Sequence, residues 1–211
     1  MQRIHLISAL ALLALAPAAY AIPDANGNLV DPAEAAAPDL SQDGAMKARL
    51  NYNLGFETFQ KTTQLEMAGA SFTGAKAQDN AQAVTAGFRK ARDNFRIAAA
   101  ADPKMKEAWN MVGYTSRRVG DYEESLGAYD KALALAPDYP EAIEYRAELF
   151  LLTGRLAQVK DAYATLLKST SPTYASALKT SMKDFLKSKK PLPASVQPAE
   201  REPFAAWVAK L

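Results

Sequence analysis

The stretch that decides the fold is WNMVGYTSRRVGDYEESLGAYDKALALAP, residues 109–137. It contains glycines, widely spaced aromatic residues and a final proline, and it matches the flanking sequence at a shift of 34 residues. The residues that match at this shift are Phe95, Tyr129 and Tyr163; Ala98, Ala132 and Leu166; Ala91, Ser125 and Val159; Pro103 and Pro137; Trp109 and Ile143; Gly113 and Ala147; and Gly120 and Gly154. So many matches at one period indicate an internal repeat.

Each repeat is predicted to contain two helices joined at a glycine. Gly120 ends the first helix in a left-handed conformation. Asp121 follows as the cap of the second helix, with Glu124 as its capping-box partner. The small Gly113 lets the two helix backbones approach closely, and Pro137 stops the second helix. One such pair cannot bury its apolar face alone, so neighbouring pairs must stack.

These residues resemble the tetratricopeptide repeat, which places large, small, aromatic and proline residues at fixed points over 34 positions. Residues 106–139 match it best, and residues 140–173 match it less well, with Pro172 one position late. Ser116 replaces the usual first aromatic residue and Ser125 the usual alanine. The resemblance implies an all-α, TPR-like α-solenoid of about three helix-turn-helix units.

The first repeat, residues 45–105, is interrupted. Gly55 and Ala91 are 36 residues apart, whereas the equivalent residues of the next repeat are 12 apart. We interpret the 24 extra residues (36 less 12) as a lengthening of both helices into a protruding α-hairpin, with its tip near residues 69–75.

The C-terminal part is predicted to close the array. Residues 172–190 form a capping helix, with Ser171 as its N-cap and Pro172 in its first turn. One face of this helix is apolar and the other carries lysines, which we expect to be solvated; contact with acidic lipid or a partner is the alternative. Residues 191–211 form a proline-rich tail, extended over residues 191–203 and helical over residues 204–211. We expect this short helix to dock onto its own array, with docking onto a partner as the alternative. The apolar positions of that helix are Phe204, Trp207, Val208 and Leu211.

Residues 1–21 have the features of a Sec-type signal peptide. The apolar run of about 13 residues in this segment is too short to span a bilayer, which needs roughly 20, and a small-x-small site follows it. A buried N-terminal helix is the alternative. No cysteine stands at the cleavage point, which excludes bacterial lipid anchoring, and no later segment is apolar enough to span a membrane. Residues 22–44 are predicted to be a disordered linker. The sequence therefore predicts export, to the periplasm or else to the medium.

The composition excludes several kinds of catalysis. His5 is the only histidine and there is no cysteine, so the predicted mature chain has neither. A Ser-His-Asp triad, a Cys-His pair and the usual zinc and haem ligands are therefore excluded. Carboxylate-only chemistry and a Ser-Lys pair stay open, but we interpret Asp121, Glu123 and Glu124 as a charged helix start. We predict no enzyme activity, no catalytic residue, no cofactor and no metal.

The net charge of +2 hides strong blocks of charge. Residues 22–80 and 121–150 are acidic, whereas residues 81–120 (eight basic, three acidic) and 151–211 (ten basic, four acidic) are basic. This alternation predicts neighbouring helices that attract each other, or distinct binding surfaces. No basic block is interleaved with exposed aromatic residues in a nucleic-acid pattern, and an exported protein rarely meets nucleic acid, so we expect no nucleic-acid partner.

The resemblance also implies a binding scaffold, in which the first helices of the pairs line a concave groove for a peptide or helix. The groove positions are Tyr52, Phe56 and Phe59 in repeat one, Asn110, Tyr114 and Arg117 in repeat two, and Glu141, Glu144 and Glu148 in repeat three. Such a groove is aromatic at one end and acidic at the other. Because Glu141 and Tyr145 stand where the carboxylate clamp of chaperone co-factors needs basic residues, acidic C-terminal tails are not expected ligands.

The fold does not identify the ligand. We expect a non-enzymatic adaptor of the cell envelope with a protein or peptide partner. A self-assembling structural protein, joined through the long hairpin or the C-terminal helix, is the alternative, and a carboxylate-only secreted hydrolase is the remote one.

Overall fold

A computed structural model describes residues 22–23, 29–30, 44–169, 171–188 and 198–211. The predicted signal peptide and most of the predicted linker lie outside these residues. Strands β1 (Ile22–Pro23) and β2 (Leu29–Val30) pair antiparallel. The described helices are α1 (Gly44–Ala68), α2 (Gly74–Ala101), α3 (Lys106–Val119), α4 (Tyr122–Leu135), α5 (Pro140–Thr153), α6 (Leu156–Leu167), α7 (Pro172–Lys187) and α8 (Pro198–Val208).

Successive helices pack as antiparallel pairs, which confirms the predicted all-α solenoid. Gly120 ends α3 and Gly154 ends α5, with φ angles of 86° and 75°. The N–H groups of the next residues, Asp121 and Arg155, donate back to carbonyls of the preceding helix at 2.9 and 2.8 Å. Each glycine therefore closes its first helix in the predicted left-handed turn, because a side chain disfavours a positive φ.

The predicted cap of α4 is half right. The Glu124 N–H donates to Asp121 Oδ1 at 3.3 Å, so Asp121 caps the helix as expected. The carboxylate of Glu124 does not complete the capping box. It accepts instead from Ser116 Oγ and Arg96 Nε, both at 2.6 Å. This contact also explains Ser116, which stands where the repeat pattern has an aromatic residue.

Glycine and aromatic residues hold the helix pairs close together. A Cβ on Gly113 would lie 2.6 Å from the Tyr129 ring, and one on Gly55 would lie 2.8 Å from the Phe95 ring. The same contact thus occurs in repeats one and two, although 24 extra residues interrupt repeat one. Ser125 donates to the Gly113 carbonyl at 2.7 Å inside this contact, which gives the serine a role that alanine lacks.

The first pair is the predicted elongated hairpin. Helices α1 and α2 have 25 and 28 residues, whereas α3, α4 and α5 have 14 each. A 3₁₀ turn at Gly69–Ser71 forms the tip, which confirms its predicted place. Helix α3 braces the hairpin, since Arg118 Nη2 lies 2.6 Å from Glu66 Oε1 and its guanidinium lies 4.2 Å from the Phe88 ring centre.

The charge blocks pair across neighbouring helices, as the alternation predicts. Arg92 of the basic helix α2 lies 3.4 Å from Asp121 at the start of the acidic helix α4. Within the acidic block itself, Arg146 of α5 lies 2.7 Å from Asp130 of α4. These pairs are partly exposed, so each contributes only modestly to stability.

The C-terminal helix packs on its own array, as expected. Phe204 and Val208 are buried, and the Trp207 ring lies edge-on to the Tyr163 ring at 5.7 Å. The helix begins at Pro198, so the extended structure predicted for residues 198–203 is wrong. Its burial against α6 and α7 stabilises a short helix that is unstable alone.

Helix α7 differs from its prediction in detail. Ser171 precedes Pro172 as expected, but its side chain makes no capping hydrogen bond. On the lysine face, Lys179 donates to the carbonyl of Leu211, so one lysine of that face holds the residues after α8. Among the described residues, no helix combines the length and apolar character that crossing a bilayer requires.

Candidate functional site

The structure brings the nine predicted groove residues onto three first helices, α1, α3 and α5. Most of them are buried rather than open to a ligand. The buried residues are Phe59, Asn110, Tyr114, Arg117, Glu144 and Glu148, each at most 3% exposed. The half-buried ones are Tyr52, Phe56 and Glu141.

The aromatic residues form one row across these helices. Ring centres of Phe56 and Phe59 are 5.9 Å apart, and Phe59 meets Tyr114 edge-on at 5.3 Å. Tyr114 then meets Tyr145 of α5 at 5.0 Å. The row therefore continues from α1 to α5, where it reaches the helix that carries the predicted glutamates.

A buried ion pair occupies the predicted acidic end. Arg117 Nη2 lies 2.7 Å from Glu148 Oε2, and the two side chains are 1% and 2% exposed. Ser181 of α7 donates to the other oxygen of Glu148 at 2.7 Å. Burial by itself would lower the pKa of Arg117, but the charge of Glu148 together with Tyr129 and Tyr114 outweighs burial and raises that pKa, so the guanidinium stays charged. One polar chain thus links α3, α5 and α7.

These contacts correct the exposure assumed for Phe59, Asn110, Tyr114, Arg117, Glu144 and Glu148. The repeat pattern predicts which face of a first helix is concave, but not how closely the first helices approach each other. Here that face is filled by the residues themselves. Binding through Tyr52, Phe56 and Glu141 stays a prediction.

Partly exposed aromatic and acidic residues lie near the N-terminal ends of α3, α5 and α7 and in the first half of α1. We call Tyr52, Glu107, Tyr139, Glu141 and Tyr174 the tyrosine–glutamate rim; all five are partly exposed. Tyr174 donates to Glu141 at 2.5 Å. Burial first, and then the charge of Glu141 with contributions from Tyr52 and Glu107, raises the pKa of Tyr139. The rim residues thus come from α1, α3, α5 and α7 and from the residue before α5, and Tyr174 and Glu141 are joined directly.

Three members of the rim were missed in the sequence. Glu107 could have been found, because it lies 34 residues before Glu141 in the same position of the repeat. Tyr139 precedes its helix and Tyr174 belongs to the capping helix, so neither occupies a groove position of the repeat pattern. Only the packing of α7 beside α5 brings them together.

The rim has the chemistry to hold a cationic side chain. Tyrosine faces attract cations, and carboxylates accept charge-assisted hydrogen bonds from lysine or arginine. One cation–aromatic contact is already present, since Lys106 Nζ lies 4.8 Å from the centre of the Tyr139 ring. In the part of the chain that the structure describes, no group of three or more His, Cys, Asp or Glu residues could hold a metal ion.

The buried tyrosines predict a loss of stability in alkali. Burial raises the pKa of Tyr129 and Tyr145 above the ordinary value. In the unfolded chain both ionise near pH 10, so above that pH the unfolded state binds fewer protons than the folded state. Below about pH 10 the free energy of unfolding is therefore unaffected by the ionisation of these tyrosines. Above that pH it falls by about 1.4 kcal/mol per pH unit for each tyrosine.

Urea unfolding between about pH 8 and pH 11 measures this slope. The Tyr145→Phe variant is the matched control, because it keeps the ring and removes the titrating group. We expect its slope above pH 10 to be shallower by about one proton. A slope equal to that of the parent protein would show that Tyr145 ionises normally in the folded state.

Stacked helix pairs, with first helices closed by left-handed glycines, define an α-solenoid. The family model described as tetratricopeptide repeat matches residues 80–140 and 113–158, which extend from α2 into α6. Over residues 80–158 the chain is therefore similar to the tetratricopeptide repeat, which supports its assignment to that family. A search of curated proteins finds no match.

Proposed function

We propose that this protein is a non-enzymatic adaptor that binds a peptide or helix of another protein at the tyrosine–glutamate rim. Tetratricopeptide repeats in general form extended surfaces for protein–protein interaction. The convergence of three tyrosines and two glutamates, all partly exposed, carries the proposal. Phe56 of α1 stacks on Tyr52 and extends the rim with a partly exposed aromatic ring, whereas the deeper positions of the concave face are buried.

The charge of the rim indicates the chemistry of the ligand. Glu107 and Glu141 bring two carboxylates, and Lys106 is the nearby cation whose contact with the rim is described above. A lysine or arginine of the partner would lie between the tyrosine faces and these carboxylates. The partner segment is therefore basic or amphipathic, which agrees with the expectation that acidic C-terminal tails do not bind.

We propose that this adaptor functions outside the cytoplasm. The signal-peptide features of residues 1–21 support export, with the periplasm as the destination and another envelope protein as the partner. A carboxylate-only hydrolase has little support at Asp121 and Glu124. Arg92 lies 3.4 Å from a carboxylate oxygen of each, which gives both residues a structural role.

The test is the double variant Glu107→Lys/Glu141→Lys. Fluorescence anisotropy would measure binding to a panel of labelled extended peptides that carry either Lys/Arg or Asp/Glu at their centre. We expect the parent protein to prefer basic peptides, and the variant to bind them at least about tenfold more weakly, because two attractive charges become repulsive.

Glu123→Lys is the matched control, since Glu123 is an exposed residue of α4 outside the rim. This variant should bind basic peptides as the parent protein does, and thermal melts should show that both variants are folded. No preference for basic peptides, or equal affinity in the rim variant, would refute the proposed site. Once a partner is captured from an envelope extract, the same three proteins test it directly.

A further inference from the structure

Lys106 already holds a positive charge against the tyrosine–glutamate rim. Its Nζ lies 4.8 Å from the centre of the Tyr139 ring and 3.9 Å from Glu107 Oε1. One nitrogen therefore contacts both kinds of group, a tyrosine face and a carboxylate, that would hold a cation of the partner. The position suited to that cation is thus occupied by a lysine of the protein itself.

The contacts of Lys106 are weak enough to be exchanged. The side chains of Lys106 and Glu107 are 39% and 43% exposed, so water screens their attraction. The distance of 3.9 Å between their charged atoms is also longer than a hydrogen bond. Lys106 is the first residue of α3, where the positive end of the helix dipole disfavours a cation. A lysine or arginine of a partner can therefore replace it at small cost.

The exchange would release one carboxylate of the rim in particular. Glu141 already accepts a hydrogen bond from Tyr174 at 2.5 Å. In the part of the chain that the structure describes, Glu107 forms its one ion pair with Lys106. Once Lys106 leaves, both oxygens of Glu107 can accept hydrogen bonds from a partner. Arginine suits this position best, because its planar guanidinium donates two parallel hydrogen bonds to a carboxylate and stacks on an aromatic face.

We propose that Lys106 is a tethered competitor, which occupies the rim in the free protein and is displaced by a cation of the partner. The inference rests on the function proposed above and adds the residue that limits its affinity. A competitor on the same chain acts at every protein concentration, because its local concentration is fixed by the length of its side chain. It therefore weakens the binding of every basic segment, so that only a partner with further contacts along the rim binds well.

Lys104 provides a matched control for the charge of Lys106. It lies two residues earlier, carries the same charge and is exposed. Within the described residues its side chain has no ion pair and no aromatic contact, and its backbone N–H donates to Asp102 Oδ1. Neutralising Lys104 therefore changes the net charge near the rim in the same way, but leaves the cation at Tyr139 in place.

NMR spectroscopy of the full chain tests the occupancy without any partner. A side chain over an aromatic face is shielded by the ring current. We therefore expect the ε-methylene protons of Lys106 to resonate upfield of those of Lys104. Tyr139→Leu removes the ring and should abolish this difference, with circular dichroism to verify that the variant is folded. Equal chemical shifts of the two lysines in the parent protein would overturn the inference, whatever the binding assay shows.

Fluorescence anisotropy with an arginine-centred peptide tests the competition. Lys106→Met keeps the apolar stem and removes the charge, so we expect it to bind the peptide about three- to tenfold more tightly than the parent protein does. Lys104→Met should change the affinity by less than about twofold. When the parent protein is titrated with the peptide, the ε-methylene signals of Lys106 should move towards those of Lys104, because the ligand displaces the side chain.

The outcomes separate this inference from the function on which it rests. If the parent protein binds the peptide and Lys106→Met binds it no more tightly, the rim holds a cation but Lys106 does not compete for it. Equal gains in Lys106→Met and Lys104→Met would show a general effect of charge, and the inference would again be wrong. If neither the parent protein nor Lys106→Met prefers basic peptides, the proposed function fails and this inference fails with it.

Discussion

Replacing Arg117 with alanine is expected to lower the free energy of unfolding by about 3–5 kcal/mol. The variant leaves Glu148 as a charge without its partner guanidinium, in a position where its side chain is only 2% exposed. The loss of a buried charge partner is more damaging than the loss of an exposed one, because water cannot replace it. Urea unfolding followed by circular dichroism measures the change in the midpoint and in the free energy.

A matched double variant separates charge from packing. Arg117→Met/Glu148→Leu removes both charges and keeps most of the volume, so we expect it to recover much of the loss. Arg92→Met is a control at a partly exposed pair, which should change stability by less than about 1 kcal/mol. If Arg117→Ala also costs less than that, the link between α3 and α5 contributes little to the fold.

Gly113→Ala is expected to destabilise the protein by about 1–3 kcal/mol, although alanine favours helix more than glycine does. The added Cβ would lie 2.6 Å from the ring of Tyr129, which is fully buried. A buried ring cannot move aside without disturbing its own neighbours, so α3 and α4 must separate. Thermal and urea unfolding would both report the loss.

Gly127 of α4 provides the control, since a Cβ there meets nothing within 4 Å. Gly127→Ala should therefore stabilise the protein by up to about 1 kcal/mol. Tyr129→Leu makes room for the added methyl group at position 113. Gly113→Ala should therefore cost less in a Tyr129→Leu background than in the parent protein. Equal effects of the two glycine changes would show that close approach at Gly113 is not required.

The buried pair also changes how binding should be tested. Reversing Glu144 and Glu148 to lysine would appear, from the sequence alone, to probe an acidic groove. In the structure both residues are at most 2% exposed, so a positive charge opposite Arg117 would unfold the protein before any partner could be assayed. Glu107 and Glu141 are partly exposed, so we expect their reversal to leave the fold intact and to report on binding.

The sequence by itself determined the repeat and therefore the fold. Gly120, Gly154 and Pro137 mark helix ends through local backbone chemistry, which does not depend on the rest of the molecule. The count of 24 extra residues likewise predicted the long hairpin. These features follow from spacing along one chain, which is fully visible in the sequence.

Only the tertiary structure decided which of the predicted groove residues are accessible. Arg117 and Glu148 are separated by 31 positions, and nothing in their spacing shows that they form a buried pair. The rim needs α7 to lie beside α5, and its contact with Lys106 needs Tyr139 to lie beside the start of α3. The distance between neighbouring helices depends on all the side chains between them at once. Local pattern therefore predicts a helix face, whereas packing determines whether that face is core, site or interface.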